Sequence, residues 1–186
     1  LDMNTVGSSV ADNTIRNSII AVFVASLFVM LYIIYAFRNI EQSYLYAIAA
    51  ILTLIHDVLV VMGLFILISI FIGSVVNSIF IVGILTVIGY SVNDTIVIFD
   101  RIRENLTVNK SMEFMNVVNQ SVKESITRSL GTSITTSIVI LSMLLFGGQS
   151  LRDFLLVLLL GVIIGTYSSI FVASNLLLSW KYGIRK

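Results

Sequence analysis

Long apolar runs, interrupted by short polar ones, set the pattern of this chain. Five of them, at residues 19–37, 44–72, 79–99, 129–146 and 154–180, reach the length of about 20 mainly apolar residues that a membrane-crossing helix needs. At a rise of about 1.5 Å per residue the shortest extends roughly 27 Å and the longest roughly 43 Å. The two long runs, 44–72 and 154–180, must therefore tilt or project beyond the hydrocarbon. The runs are continuous rather than alternating, which excludes a β-barrel, and they far exceed the roughly 4–8 residues of strands buried in a soluble sheet. The predicted fold is an all-α membrane protein, a bundle of five transmembrane helices.

One long connection, residues 100–128, separates the third and fourth spans. Within it Met115, Val118, Val122 and Ile126 recur at helical spacing. This predicts an amphipathic cytoplasmic helix at residues 111–127, with Ser111 as its N-cap and Glu113 in its first turn. Its apolar face fits either the lipid surface or the underside of the bundle. Residues 1–13 are small and polar and lack the basic start, apolar stretch and cleavage site of a signal peptide. Position 1 is not methionine, so these residues are expected to be a lead-in from a preceding domain on the outer side, followed by a transmembrane domain at residues 14–186.

Composition sharpens the picture. The chain has 186 residues, 58% hydrophobic and 11% charged, with a mean hydropathy of +1.04. Soluble domains carry roughly 25% charged residues, so the polar surface of a soluble enzyme is missing. Disorder is excluded by the same excess of apolar residues. Eleven basic residues against ten acidic ones give no electrostatic reason for a nucleic-acid partner. There is no cysteine and one histidine, which excludes disulfides, Fe–S clusters, and Cys- or His-rich metal sites.

The basic residues orient the bundle. If the N-terminus is outside, the inner side carries Arg38, Arg101, Arg103, Lys110, Lys123, Arg128, Lys181, Arg185 and Lys186, and the outer side only Arg16 and Arg152. That is a positive-inside distribution with a cytoplasmic C-terminus. The turn at residues 73–78 has no charge, as suits an outer loop.

Few ionisable residues lie inside the spans: His56 and Asp57 in the second and Asp94 in the third, with Arg128 just before the fourth. A charge at the centre of a membrane helix costs about 2.5–3.5 kcal/mol on insertion scales, so each needs a reason. Asp57 falls near the midplane, where the competing reading is a buried His or neutral Asp hydrogen-bonded to a neighbouring helix and binding the bundle together. His56 is its neighbour, but adjacent helical residues diverge by about 100°, so the two are not expected to pair simply. Asp94 sits in the most polar stretch of any span, Ser91-Val92-Asn93-Asp94-Thr95. A carboxyl group balanced between desolvation and a nearby cation can take up and release a proton. The competing reading is an interfacial Asp reached by cytoplasmic water. Arg128 is either a snorkelling anchor or the cation that partners Asp94. Gly161 and Gly165 form a GxxxG pair suited to close packing, and Thr132, Ser133, Thr135, Thr136 and Ser137 are candidates for hydrogen bonds across helices. Trp180 and Lys181 read as an interfacial anchor.

The run at residues 89–105, GYSVNDTIVIFDRIREN, resembles the hallmark of the SecF family of protein-export membrane subunits, which work with SecD. RSLGTSITTS at residues 128–137, FGGQSLRDF at 146–154, GTYSSIFVAS at 165–174 and the pair His56-Asp57 agree with it. The sequence departs from the family pattern at Val6-Gly7-Ser8 and at Lys123-Glu124-Ser125. The resemblance implies six helices and a periplasmic domain, of which this chain matches the last five helices. It implies an accessory of the Sec translocase, related to the resistance-nodulation-division exporters, that draws on the proton motive force across the bacterial inner membrane. Such a subunit is not an enzyme and uses a proton gradient rather than a cofactor. Its implied partners are SecD, the SecYEG channel, the translocating preprotein, YajC and the lipid bilayer. The family's proton-relay carboxylate and arginine fall on Asp94 and Arg128, with His56, Asp57, Asn93 and Thr95 as secondary relay or packing residues. A small-molecule proton-antiport exporter and a passive assembly scaffold are the alternative functions.

Overall fold

The computed structural model describes residues 3–38, 42–74 and 78–183. Among them are six α-helices: α1 Met3–Ala36, α2 Ser43–Ile72, α3 Ser78–Val108, α4 Phe114–Phe146, α5 Arg152–Ser168 and α6 Ser174–Gly183. A π turn, Ser169–Ala173, runs α5 into α6, so the two act as one span. Five segments are then long and apolar enough to cross a membrane, and the expected all-α five-helix bundle is borne out. Arg185, Lys186 and residues 75–77 of the uncharged turn lie outside the described residues.

The helices run further than the apolar runs do. The chain has no proline, and without a breaker a helix continues past the residues that bury it. Thus α1 starts at Met3, within the expected lead-in, and α3 continues to Val108. The amphipathic segment before the fourth span is helical and does bury one face, through Val117, Val118, Ser121 and Ser125. It is not a separate element on the membrane surface, however, but the first turns of α4. Nor does Ser111 cap it: α4 begins after Glu113, whose backbone is extended and whose side chain makes no cap bond. The reversal is closed instead by Met112 N–H donating to Asn109 O at 3.1 Å. At the other end of the bundle Gly73 stops α2 in the left-handed conformation, φ 68°, donating to Ser69 O, a position that glycine fills without steric cost.

Helices α3 and α5 form the central pair, α2 and α4 each pack on both, and α1 lies against α2 and α3. Small residues permit the central approach. A Cβ on Gly83 would stand 3.0 Å from Val157, one on Gly161 would overlap the Val87 side chain, and one on Gly165 would lie 3.1 Å from Ser91. The GxxxG pair therefore works as a packing device against α3.

Three apolar clusters form among the described residues, two large ones and a small one of Ile140, Leu155 and Val162 between α4 and α5. At the basic end, Phe37 stacks on Tyr46 at 5.3 Å and both meet Phe99 edge-on, with Ile102, Val118 and Leu177 around them. In the opposite half, Phe65 and Phe80 pack at 4.6 Å among Val61, Ile84, Val87 and Val157. Along each of α2 to α5 a set of buried polar residues falls where one core gives way to the other: Asp57, Ser91, Asp94, Ser129, Ser133, Thr166, Ser168 and Ser169. The outer surface is apolar, with Phe71 87% and Phe146 89% exposed, as a lipid-facing surface requires.

Candidate functional site

The buried polar layer holds the site, and two carboxyl groups organise it. Asp94 reaches it from α3, one turn after Ser91, and is buried. The hydroxyls of Ser129 on α4, Thr166 on α5 and Ser169 in the π turn gather around its carboxyl, and Arg128 acts on it through space. Even so, Asp94 Oδ2 and Ser129 Oγ are fully buried without a hydrogen-bond partner among the described residues. Native interiors rarely leave polar atoms unpaired, and each exception asks for an explanation such as a water or a functional proton.

Arg128 is exposed, and among the described residues no ion pair joins it to Asp94. It borders an open polar recess of about 260 Å³ shared with Val97, Asp100, Arg101, Glu104, Glu124 and Ser125. Val97 lies one turn beyond Asp94 on α3, so the recess lies on the basic side of the carboxyl, which does not itself line it. A charge network shapes its walls. Arg101 Nε donates to Glu124 Oε2 and Arg101 Nη1 to Glu104 Oε2, both at 2.6 Å. Asn105 Nδ2 donates to Ser121 Oγ and to Glu124 Oε2, each at 2.9 Å, which clasps α3 to α4. Arg103 pairs with Asp100 and donates to the Ala36 carbonyl at 3.1 Å, holding the end of α1. Glu124 is one of the residues at which the sequence departs from the SecF-like pattern, and here it accepts from three side chains.

The second carboxyl group is Asp57, 1% exposed. Ser168 Oγ donates to its Oδ2 at 2.6 Å, and Ser91 Oγ donates to the same atom. His56 Nδ1 lies 3.0 Å from Asp57 Oδ1. This corrects the expectation that the neighbours would not pair. The Cα–Cβ directions do diverge, but Asp and His are short enough past Cβ for the carboxylate and the near ring nitrogen to lean across one backbone step. Asp57 thus ties α2 to both members of the central pair.

Of the other candidates, Asn93 is exposed, and Thr95 is buried and donates to the Ser91 carbonyl at 3.2 Å. Among the hydroxyls expected to cross between helices, Ser133 does so, meeting Tyr90 Oη at 3.2 Å and also Thr166 Oγ1. Thr132, Thr135 and Thr136 instead bond back to carbonyls of their own helix, the local alternative open to any helical threonine. Ser129, Thr166, Ser168 and Ser169 were not distinguished by sequence, although all lie in the SecF-like runs. Lys181 Nζ sits 4.1 Å over the Phe114 ring, joining the end of the chain to the start of α4.

Known proteins match this arrangement. The family model described as protein export membrane protein SecD/SecF, C-terminal, matches residues 1–183. The protein translocase subunit SecF of Thermobaculum terrenum is 43% identical over 97% of this chain and 57% of its own length. The corresponding subunit of Anaerolinea thermophila is 39% identical over 98% of this chain and 60% of its own. The chain thus spans under two thirds of these curated relatives. The protein translocase subunit SecDF of Thermus thermophilus is 38% identical over 97% of this chain and 23% of its own length. A crystal structure of SecDF in a super-membrane-facing form superposes with a TM-score of 0.81 at 38% identity, covering 91% of this chain and 22% of that one. Together the five-helix bundle, the motifs that line its polar layer and these matches place the chain in the SecD/SecF C-terminal family of protein-export membrane proteins.

Proposed function

We propose that this chain is the membrane part of an accessory subunit of the preprotein translocase, which uses the proton motive force together with SecD to promote export. The translocase subunits among its relatives favour protein export over small-molecule antiport. The bundle lies in the bacterial cytoplasmic membrane with its basic end inside. SecD, the SecYEG channel, YajC and the emerging preprotein are its partners in that role, which is a translocation step and not enzyme chemistry.

The observation that carries the reading is Asp94: a buried carboxyl with one oxygen unpaired among the described residues, three hydroxyls around it and the Arg128 cation within electrostatic reach. Asp94 takes a proton from the outer side and releases it to the recess at Arg128. The polar recess gives the released proton a wet exit, and the Arg128 charge favours the ionised carboxylate left behind. The two states of the carboxyl need different surroundings, and that difference drives the bundle between two arrangements.

The test uses the full-length parent with SecD in membrane vesicles, with and without a proton gradient. Asp94→Asn is expected to assemble normally and to lose the gradient-dependent part of export. If that variant still responds fully to the gradient, the proton travels elsewhere and the bundle is a scaffold.

A further inference from the structure

Asp57 has no part in that proton step, yet it is the more deeply buried carboxyl and the better connected one. Two features set it apart from a residue that merely fastens helices. The first is its access: His56, in contact with Asp57 Oδ1, has a side chain 38% exposed on the surface of α2. An ionisable side chain in the middle of a membrane span faces a water-filled cavity or a protein neighbour rather than lipid, so His56 links the buried carboxyl to whichever of these covers that face of α2.

The second is the Ser168 hydroxyl. It has one hydrogen and two acceptors, Asp57 Oδ2 at 2.6 Å and the Gly165 carbonyl at 3.2 Å. With Asp57 ionised, the hydrogen goes to the carboxylate. With Asp57 protonated on Oδ1, Oδ2 remains a carbonyl acceptor for Ser91, and the Ser168 hydrogen can stay on Oδ2 or turn to the Gly165 carbonyl. The site is therefore satisfied in both protonation states, whereas a purely structural carboxylate would need only one. No other titratable side chain touches Asp57 among the described residues: α3 faces it with Ser91 and α5 with Ser168, and Asp94 lies one turn further along α3.

We propose that the His56–Asp57 pair is a second proton-binding site of the bundle, whose charge state sets how firmly α2 is held to α3 and α5. The proton arrives on His56 and passes from Nδ1 to Asp57 Oδ1. The N–H bond breaks as the O–H bond forms, imidazolium becomes imidazole, and carboxylate becomes carboxylic acid. Two charge-assisted hydrogen bonds, from Ser91 and Ser168, then become weaker neutral ones. Ser91 and Ser168 are also next to the hydroxyls around Asp94, so loosening them changes the surroundings of the first site. The proposal rests on the proton-coupled reading above and extends it.

The experiment is gradient-driven export by the full-length parent with SecD in vesicles, measured while the pH of the outer-side compartment is varied. Wild type, His56→Gln, Asp57→Asn and Asp94→Asn are compared, and SecD association is checked for each. His56→Gln is expected to displace the outer-pH profile, with a several-fold loss of export where the wild type is half-maximal, and Asp57→Asn to flatten it. A wild-type profile in His56→Gln overturns the proposal, whatever Asp57→Asn does. The His56 variant decides alone if Asp57→Asn fails to assemble, because its own SecD association is checked in parallel. The failure of the underlying reading is separate: it shows as a full gradient response in Asp94→Asn.

Discussion

Gly165 on α5 brings Ser91 of α3 so close that a methyl group in place of its hydrogen would lie 3.1 Å from the serine Cβ and 3.2 Å from its Cα. This approach sets the level at which Asp57 and Asp94 meet the central helix pair, because Ser91 bonds Asp57 and Asp94 is one turn further on. The packing glycines and the polar layer are thus parts of one construction.

The same contact one turn earlier gives the first prediction. Gly161→Ala would drive a methyl group into Val87, which is fully buried and, being β-branched in a helix, cannot swing aside. Overpacking of this kind costs about 1–3 kcal/mol. Thermal unfolding of the purified parent complex is expected to fall accordingly, and Val87→Ala added to Gly161→Ala to recover most of the loss. No recovery in the double variant would mean that Gly161 is needed for something other than space.

A second prediction concerns Tyr46. Its ring is held by Phe37 and Phe99, but its buried hydroxyl has no partner among the described residues. An unsatisfied buried polar group costs about 1–3 kcal/mol. Tyr46→Phe is expected to keep the ring packing and leave stability unchanged or raise it by about 1 kcal/mol. A clear loss in an unfolding experiment would show that the hydroxyl has a partner.

Arg128 supplies a third. It acts on Asp94 with no direct ion pair among the described residues, so its charge matters more than the fork geometry that distinguishes arginine from lysine. In gradient-driven export assays Arg128→Lys is expected to retain a substantial part of the response and Arg128→Gln to lose it. Equal inactivity of the two variants would point instead to a specific guanidinium contact.

Much of this was legible in the sequence, and what was not has physical causes. The five spans follow from hydropathy, which local composition carries. Asp94 and Arg128 stood out because charges near a membrane core are rare. Helix ends were less visible: α4 starts at Phe114, since a soluble amphipathic stretch and a membrane span join without a breaker. The pairing of His56 with Asp57 was missed because helix periodicity describes Cβ directions and not the reach of the side chains. Ser168 and Ser169 were indistinguishable from the other small residues of their run. Only the packing of α5 on α2 and α3 turns one towards Asp57 and sets the other, in the π turn, beside Asp94. Such turns often mark functional positions, and no residue pattern announced this one.

The central claim is that Asp94 itself gains and loses a proton. Infrared difference spectroscopy tests it most directly, on the full-length parent with SecD in lipid, stepping the pH and comparing wild type with Asp94→Asn. A carboxylic acid band is expected that titrates in the wild type and is missing from the variant. Identical titrating bands in both proteins would contradict it.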